Sequence, residues 1–268
     1  MRLVTYDAGA GPTAGVLLNG EIAPAGPSVR ALLAAGQPVR PDGRRVPRDG
    51  VRLLPPVPDP QKIICLGLNY RDHAAEAGAE IPRDPMWFAK FPNSLIGDGD
   101  AVILPAAQPD HVDYEAELAI VIGRPAHRVP AERALEYAAG AMPFNDVSAR
   151  DLQLENPLWT SGKAIDTFAP CGPALVLMDE IDDVQRLALR TRVNREVVQE
   201  GSTANMIFGV AETIAWLSRT MTLLPGDIIA TGTPAGIGGP KGVFLHDGDT
   251  VSVEVEGLGR VTNPVRAE

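Results

Sequence analysis

The chain has 268 residues, 45% apolar and 22% charged, with 24 Lys and Arg against 34 Asp and Glu for a net charge of −10. A chain of this length buries roughly 70–75% of its unfolded surface and needs no disulfides. So acidic a balance provides no basic stripe for nucleic acid or for an anionic membrane surface.

The start, MRLVTYDAGAG, has no apolar core of signal-peptide length, and the longest clean apolar run, Leu118 to Ile122, is far short of a membrane span. Leu3–Tyr6 and Gly15–Leu18 read as strands, with Asn19-Gly20 turning the chain toward Ile22. Ser28 is placed to cap a short helix, Val29 to Ala35, that stops at Gly36. The run Leu54-Pro-Pro-Val-Pro-Asp-Pro60 is too rich in proline for sheet or helix. It divides the chain into a small N-terminal α/β domain with its linker, 1–58, and a larger domain, 59–268. Beyond it come strands at Lys62–Leu68, Glu115–Ile122, Asp227–Ala230 and Val251–Glu256, a hairpin at Val193–Val197, and helices at Ala131–Ala139 and Val210–Met221. Strands do not alternate regularly with long helices, so the fold class is α+β, dominated by sheet. Cys65 and Cys171 belong to no CxxC pair and read as buried thiols of a reducing compartment, which makes the cytoplasm the expected location.

The chemistry concentrates in a few places. If Tyr114–Ile122 is a strand, Glu115 and Glu117 share one face at the entrance to an apolar core. Two like charges there repel and resist desolvation unless a cation binds both. Hard oxygen donors favour Mg²⁺, Mn²⁺ or Ca²⁺ over zinc. The rival is a helix, since Glu, Ala and Leu are good helix formers. Asp146 is either a helix N-cap or, if it faces the two glutamates, a third ligand. His73 and Glu76 stand three residues apart, so on a helical turn the carboxylate orients the imidazole; the alternative is an exposed ion pair. Lys163 follows a glycine and precedes an apolar segment, which permits an inward approach. The glycine-rich run Thr231–Gly239 lacks the ending of a phosphate loop, but its N–H groups and hydroxyls suit a carboxylate. His111, His127 and His246 read as surface or loop histidines.

Six collinear segments, ICLGLNYRDHAAE, DYEAELAIVIG, FNDVSARDLQ, GKAIDTFAPCGP, TRVNREVVQEGSTANMIF and LLPGDIIATGTPAGIG, resemble the fumarylacetoacetate hydrolase family over about Lys62 to Pro264. The leading segment is similar to the small N-terminal domain of many bacterial members. The resemblance implies a twisted mixed β-roll with a Mg²⁺ or Mn²⁺ site in its mouth. It assigns Glu115, Glu117 and Asp146 to the metal, His73 and Glu76 to a catalytic dyad, and Lys163 to a position beside the metal. It also implies that Arg150, Gln153 and Thr233 hold the substrate's carboxylate and oxo groups, that Thr167 lies near the metal, and that Ala77–Met86 form a variable lid. The expected activity is hydrolysis of a carbon–carbon bond in an acylpyruvate, with His73 activating water and Lys163 beside the departing pyruvate enolate. The alternatives are decarboxylation or isomerisation of 2-oxo or hydroxymuconate-type diacids, oxaloacetate included, and a non-catalytic oxo-acid-binding protein. The expected partners are a small 2-oxo acid and a second copy of the chain in a homodimer, with no nucleic acid and no membrane.

Overall fold

The computed structural model describes residues 1–155 and 157–268. Its backbone is one long open sheet backed by a second, five-stranded one. The long sheet runs, in spatial order, through Val46–Pro47, Glu21–Gly26, Thr13–Leu18, Arg2–Asp7, Leu175–Leu177, Ala138–Asn145, Ala116–Ile122, Ile228–Ala230, Ile63–Gly67 and Met86–Lys90. Neighbours along it are antiparallel except Ile228–Ala230 and Ile63–Gly67, which pair in parallel. The second sheet takes Glu196–Ser202, Ala188–Val193, Thr250–Val255, Gly259–Ala267 and Val102–Leu104 in that order. This is the sheet-dominated architecture that the sequence pattern predicts, with the mixed pairing that the family resemblance implies.

Every residue of the Ala116–Ile122 strand is buried, because both of its faces are covered. Leu118, Ile120 and Ile122 pack into a core with Val210, Ile214 and Leu217 of the helix Val210–Ser218. Ala119 and Val121 point the other way, into a core shared with Leu3, Val16, Cys65 and Phe88. A central strand between two cores reads as a continuous apolar run, which is the pattern seen here.

The first residues do not form a sheet of their own. Arg2 and Leu3 pair with Val176 and Leu175, so the N-terminal strands extend the long sheet across the expected boundary near residue 58. The linker is tied down as well, since Thr5 Oγ1 donates to Pro56 O at 2.8 Å. Ser28 caps the helix Val29–Ala35 by accepting from Ala31 N, and Gly36 ends it with a left-handed φ of 61°. One expectation needs correction. The segment expected as a helix over Ala131–Ala139 is a 3₁₀ helix only to Tyr137, and Ala138 already pairs with Ile122 in the sheet. Sheet pairing there overrides the helix preference of alanine. Both cysteines are free and buried.

Candidate active site

The site begins where two neighbouring strands meet their ends. Glu115 N donates to Asn145 Oδ1, and Asp146 N donates to Glu115 O, both at 3.0 Å. With alternate residues of an extended chain on one side, Glu115 and Glu117 emerge together, and the chain leaving Ala138–Asn145 carries Asp146 to them. All three are buried, and one carboxylate oxygen from each lies within 4.8 Å of the others.

Cations surround this cluster on most sides. Lys163 Nζ donates to Glu115 Oε2 at 2.9 Å and to Asp146 Oδ2 at 2.8 Å. Arg150 Nη1 stands 2.7 Å from Glu115 Oε1. Lys90 Nζ donates to the other Asp146 oxygen and to Val147 O. Glu117 is treated differently. One oxygen accepts from Gly232 N at 2.9 Å, while the other, Oε1, is buried without a partner among the described residues. Burial, reinforced by the charges of Asp146 and Glu115, pushes the Glu117 carboxyl well above the usual range. Burial acts on Glu115 in the same sense, but Lys163 and Arg150 outweigh it and hold that carboxyl at about 2. An orphaned buried oxygen among three clustered carboxylates fits a divalent cation, and the all-oxygen donor set suits a hard ion.

The cluster borders a cavity of about 260 Å³, lined in part by His73, Glu115, Arg150, Gln153, Lys163 and Thr233. His73 rides on the helix Arg71–Glu76, with Nδ1 3.4 Å from Glu76 Oε2. Six expected site residues therefore share one cavity, and Glu76, Glu117 and Asp146 stand behind its wall. Thr167 does not join them. It has a left-handed φ of 69°, and its hydroxyl accepts from Ile103 N at 2.9 Å, at the Val102–Leu104 strand. His111 and His246 are exposed and pair loosely with Asp151 and Asp249, and His127 lies 3.4 Å from Thr222, all outside the cavity lining.

The glycine-rich loop holds carboxylates, but they are the protein's own. Gly232 N serves Glu117, Gly236 N serves Glu76, and Gly238 and Gly239 N serve Asp113 at 2.8 and 2.9 Å. A Cβ at Gly238 would lie 1.9 Å from Val243 O, so only glycine brings that N–H close enough. Asp113 in turn grips Arg150 through Nε and Nη2. The Thr233 hydroxyl is occupied too, donating to Ala116 O and accepting from Gln199 Nε2, both at 2.8 Å.

Two residues escape the sequence reading. Lys90 has a signal, because alternation along Met86–Lys90 puts it on the inward face with Phe88. Asp113 sits two residues before Glu115, but nothing in its neighbourhood distinguishes it from a loop aspartate.

A buried carboxylate triad in a mixed sheet, with His73 and Lys163 on the adjoining cavity, marks a site for a small molecule. The chain belongs to the fumarylacetoacetate hydrolase family, whose C-terminal domain model matches residues 62–266, while an N-terminal model described as Rv2993c-like matches residues 1–56. It is 44% identical over 240 residues to the mitochondrial oxaloacetate tautomerase FAHD2A of Homo sapiens, covering 88% of this chain and 74% of that one. Among solved structures, the fumarylacetoacetate hydrolase of Exiguobacterium antarcticum matches with a TM-score of 0.90 at 37% identity, and the 5-carboxymethyl-2-hydroxymuconate delta-isomerase of Mycobacterium smegmatis with 0.88 at 38%; each comparison covers 100% of both chains. No helix among the described residues is long and apolar enough to cross a membrane.

Proposed function

We propose that the protein catalyses keto–enol chemistry on a small 2-oxo acid, with tautomerisation of a four-carbon diacid of the oxaloacetate kind as its main reaction. The observation that carries this reading is the placement of Lys163 and His73 on one cavity, a cation for the 2-oxo oxygen and a base for a C–H proton. The identity to the tautomerases over most of the chain supports it.

Enolisation moves one proton from C3 to the 2-oxo oxygen and shifts the double bond; the proton that His73 takes from C3 is given back to the oxygen, so that no group of the protein ends changed. His73 takes the C3 proton, and Glu76, anchored by Gly236, steadies the ring as it becomes charged. The Lys163 ammonium offers a donor to the oxygen as its negative charge grows. Arg150 supplies positive charge for a substrate carboxylate. Gln153, whose carbonyl oxygen accepts from Arg150 Nη1 at 2.9 Å, keeps its amide N–H groups for the same carboxylate. A divalent ion held by Glu115, Glu117 and Asp146 would supply Lewis-acid polarisation of the 2-oxo group.

A second reading, cleavage of an acylpyruvate, is favoured by the His73–Glu76 pair and by the likeness to a fumarylacetoacetate hydrolase. There His73 takes its proton from water, the hydroxide adds to the distal carbonyl, and the breaking carbon–carbon bond leaves its electrons on pyruvate enolate. A homodimer and a cytoplasmic location remain part of the proposal, on the family resemblance and the two free thiols; sedimentation at micromolar concentration tests the first.

The deciding experiment follows freshly dissolved, enol-rich oxaloacetate with Mg²⁺ or Mn²⁺ and records loss of enol absorbance, CO₂ release, and pyruvate formation from acetylpyruvate. Accelerated enol loss without CO₂ is the expected result. Pyruvate release alone would select the hydrolase, and binding without any turnover would leave only an oxo-acid-binding protein.

A further inference from the structure

The same cavity is also lined by the uncharged side chains of Leu66, Leu68, Ala79, Met86, Phe88 and Trp159. A chain of contacts leads to them from the reactive lysine. Lys163 Nζ lies 5.2 Å from the centre of the Phe88 ring. The Phe88 and Trp159 rings meet edge to face, with centroids 5.8 Å apart and planes at 70°. The outer edge of the indole then rests on Gly67, where a Cβ would lie only 2.1 Å from Trp159 Cζ3. The indole is thus seated on bare backbone at the end of the Ile63–Gly67 strand, a position open to it only because residue 67 has no side chain.

We propose that Trp159 is a specificity-determining residue, its indole limiting the room beside Phe88 and Lys163 so that the site takes short 2-oxo acids and rejects longer diacids. The proposal rests on the 2-oxo acid reading above and names the substrate class within it. The cationic groups of the lining are His73, Arg150 and Lys163, and the last two already hold Glu115. A four-carbon diacid keeps both carboxylates close to those groups. A longer diacid would carry its terminal carboxylate past them toward Leu66, Phe88 and Trp159, which offer it no counter-ion. A longer uncharged tail would meet the indole itself. One methylene too many in a closed apolar pocket costs about 10–200-fold in discrimination.

The test is equilibrium binding, by calorimetry on the full chain with Mn²⁺, of pyruvate, 2-oxobutanoate, 2-oxohexanoate and the six-carbon diacid 2-oxoadipate. Wild type should bind the two short acids at least about tenfold more tightly than the two long ones. Trp159→Ala should raise affinity for 2-oxohexanoate relative to pyruvate by about tenfold and leave 2-oxoadipate weak. Trp159→Leu should give a smaller shift in the same direction, and it decides the matter if the alanine variant does not fold. Met86→Arg, which places a cation among the apolar side chains of the lining, should favour 2-oxoadipate over 2-oxohexanoate. An unchanged chain-length ratio in a folded Trp159 variant overturns the inference while pyruvate binding leaves the functional reading standing. So does a wild type that binds 2-oxoadipate as tightly as pyruvate. A wild type that binds none of the four overturns both.

Discussion

Glu76 accepts the Gly236 N–H on both of its carboxylate oxygens, at 3.0 and 3.1 Å. That contact ties the short helix bearing His73 to the glycine-rich loop bearing the Glu117 anchor, so the base and the carboxylate cluster are held by one piece of backbone.

The two parts should nevertheless separate by mutation. His73→Ala is expected to lower turnover by roughly 10²–10⁴, the usual share of a positioned general base, with Mn²⁺ affinity nearly intact. Glu76→Gln, which keeps the shape but loses the charge, should show a smaller loss. Steady-state kinetics beside metal titration reads both quantities. A His73→Ala enzyme of unchanged rate on both oxaloacetate and acetylpyruvate would remove His73 from the mechanism.

Glu117→Ala should behave in the opposite way. It deletes the oxygen that lacks a partner among the described residues, so Mn²⁺ binding and ligand binding should fall together, as measured by calorimetry. EDTA should abolish activity and Mg²⁺ or Mn²⁺ restore it, and full activity in the chelator would end the metal reading.

Lys90 is completely buried, and its ammonium serves one oxygen of Asp146. Lys90→Met should cost about 3–5 kcal/mol in urea unfolding, the range for breaking a buried pair from one side. The lower end is expected, because Lys163 still holds the other oxygen. Stability equal to wild type would mean that Lys90 contributes nothing net.

The two thiols give a prediction about pH. Burial pushes both upward, and at Cys65 the charges of Asp146 and Glu117 act in the same sense. The folded state therefore keeps these protons while the unfolded chain releases its own near 9.0. The linked stability is complete below that pH and is lost as pH rises through and beyond it. Urea midpoints should decline above pH 9, and a disulfide reagent at pH 8 should find both thiols only after denaturation.

How much of this was legible in the sequence differs from residue to residue. Glu115 and Glu117 could be placed because strand periodicity is local and charge at the edge of an apolar run is conspicuous. The meeting of Asp146 with them depends on the Ala116–Asn145 register, a pairing that spacing alone does not reveal, and the resemblance supplied it. Thr167 shows the opposite limit, since its left-handed backbone takes the hydroxyl toward Ile103. The glycine-rich loop suits a carboxylate by its composition, but that its N–H groups serve Glu117, Glu76 and Asp113 is a tertiary fact. Lys90 has a signal in the alternation along Met86–Lys90, one that runs against the general rule that lysine faces outward.

The pairing of Arg2 and Leu3 with Leu175–Leu177 has a practical consequence for anyone trimming the chain to residues 62–266. Such a fragment would lose the neighbour that covers Leu175–Leu177 and would present unpaired N–H and C=O groups along that strand. It would also open the apolar core that Leu3 and Val16 share with Leu175, Ile228 and Val121. An open edge beside an uncovered apolar face is a template for aggregation. The leading segment is thus a built-in solubility element, a guard strand whose loss would be felt first as precipitation and only afterwards as lost catalysis.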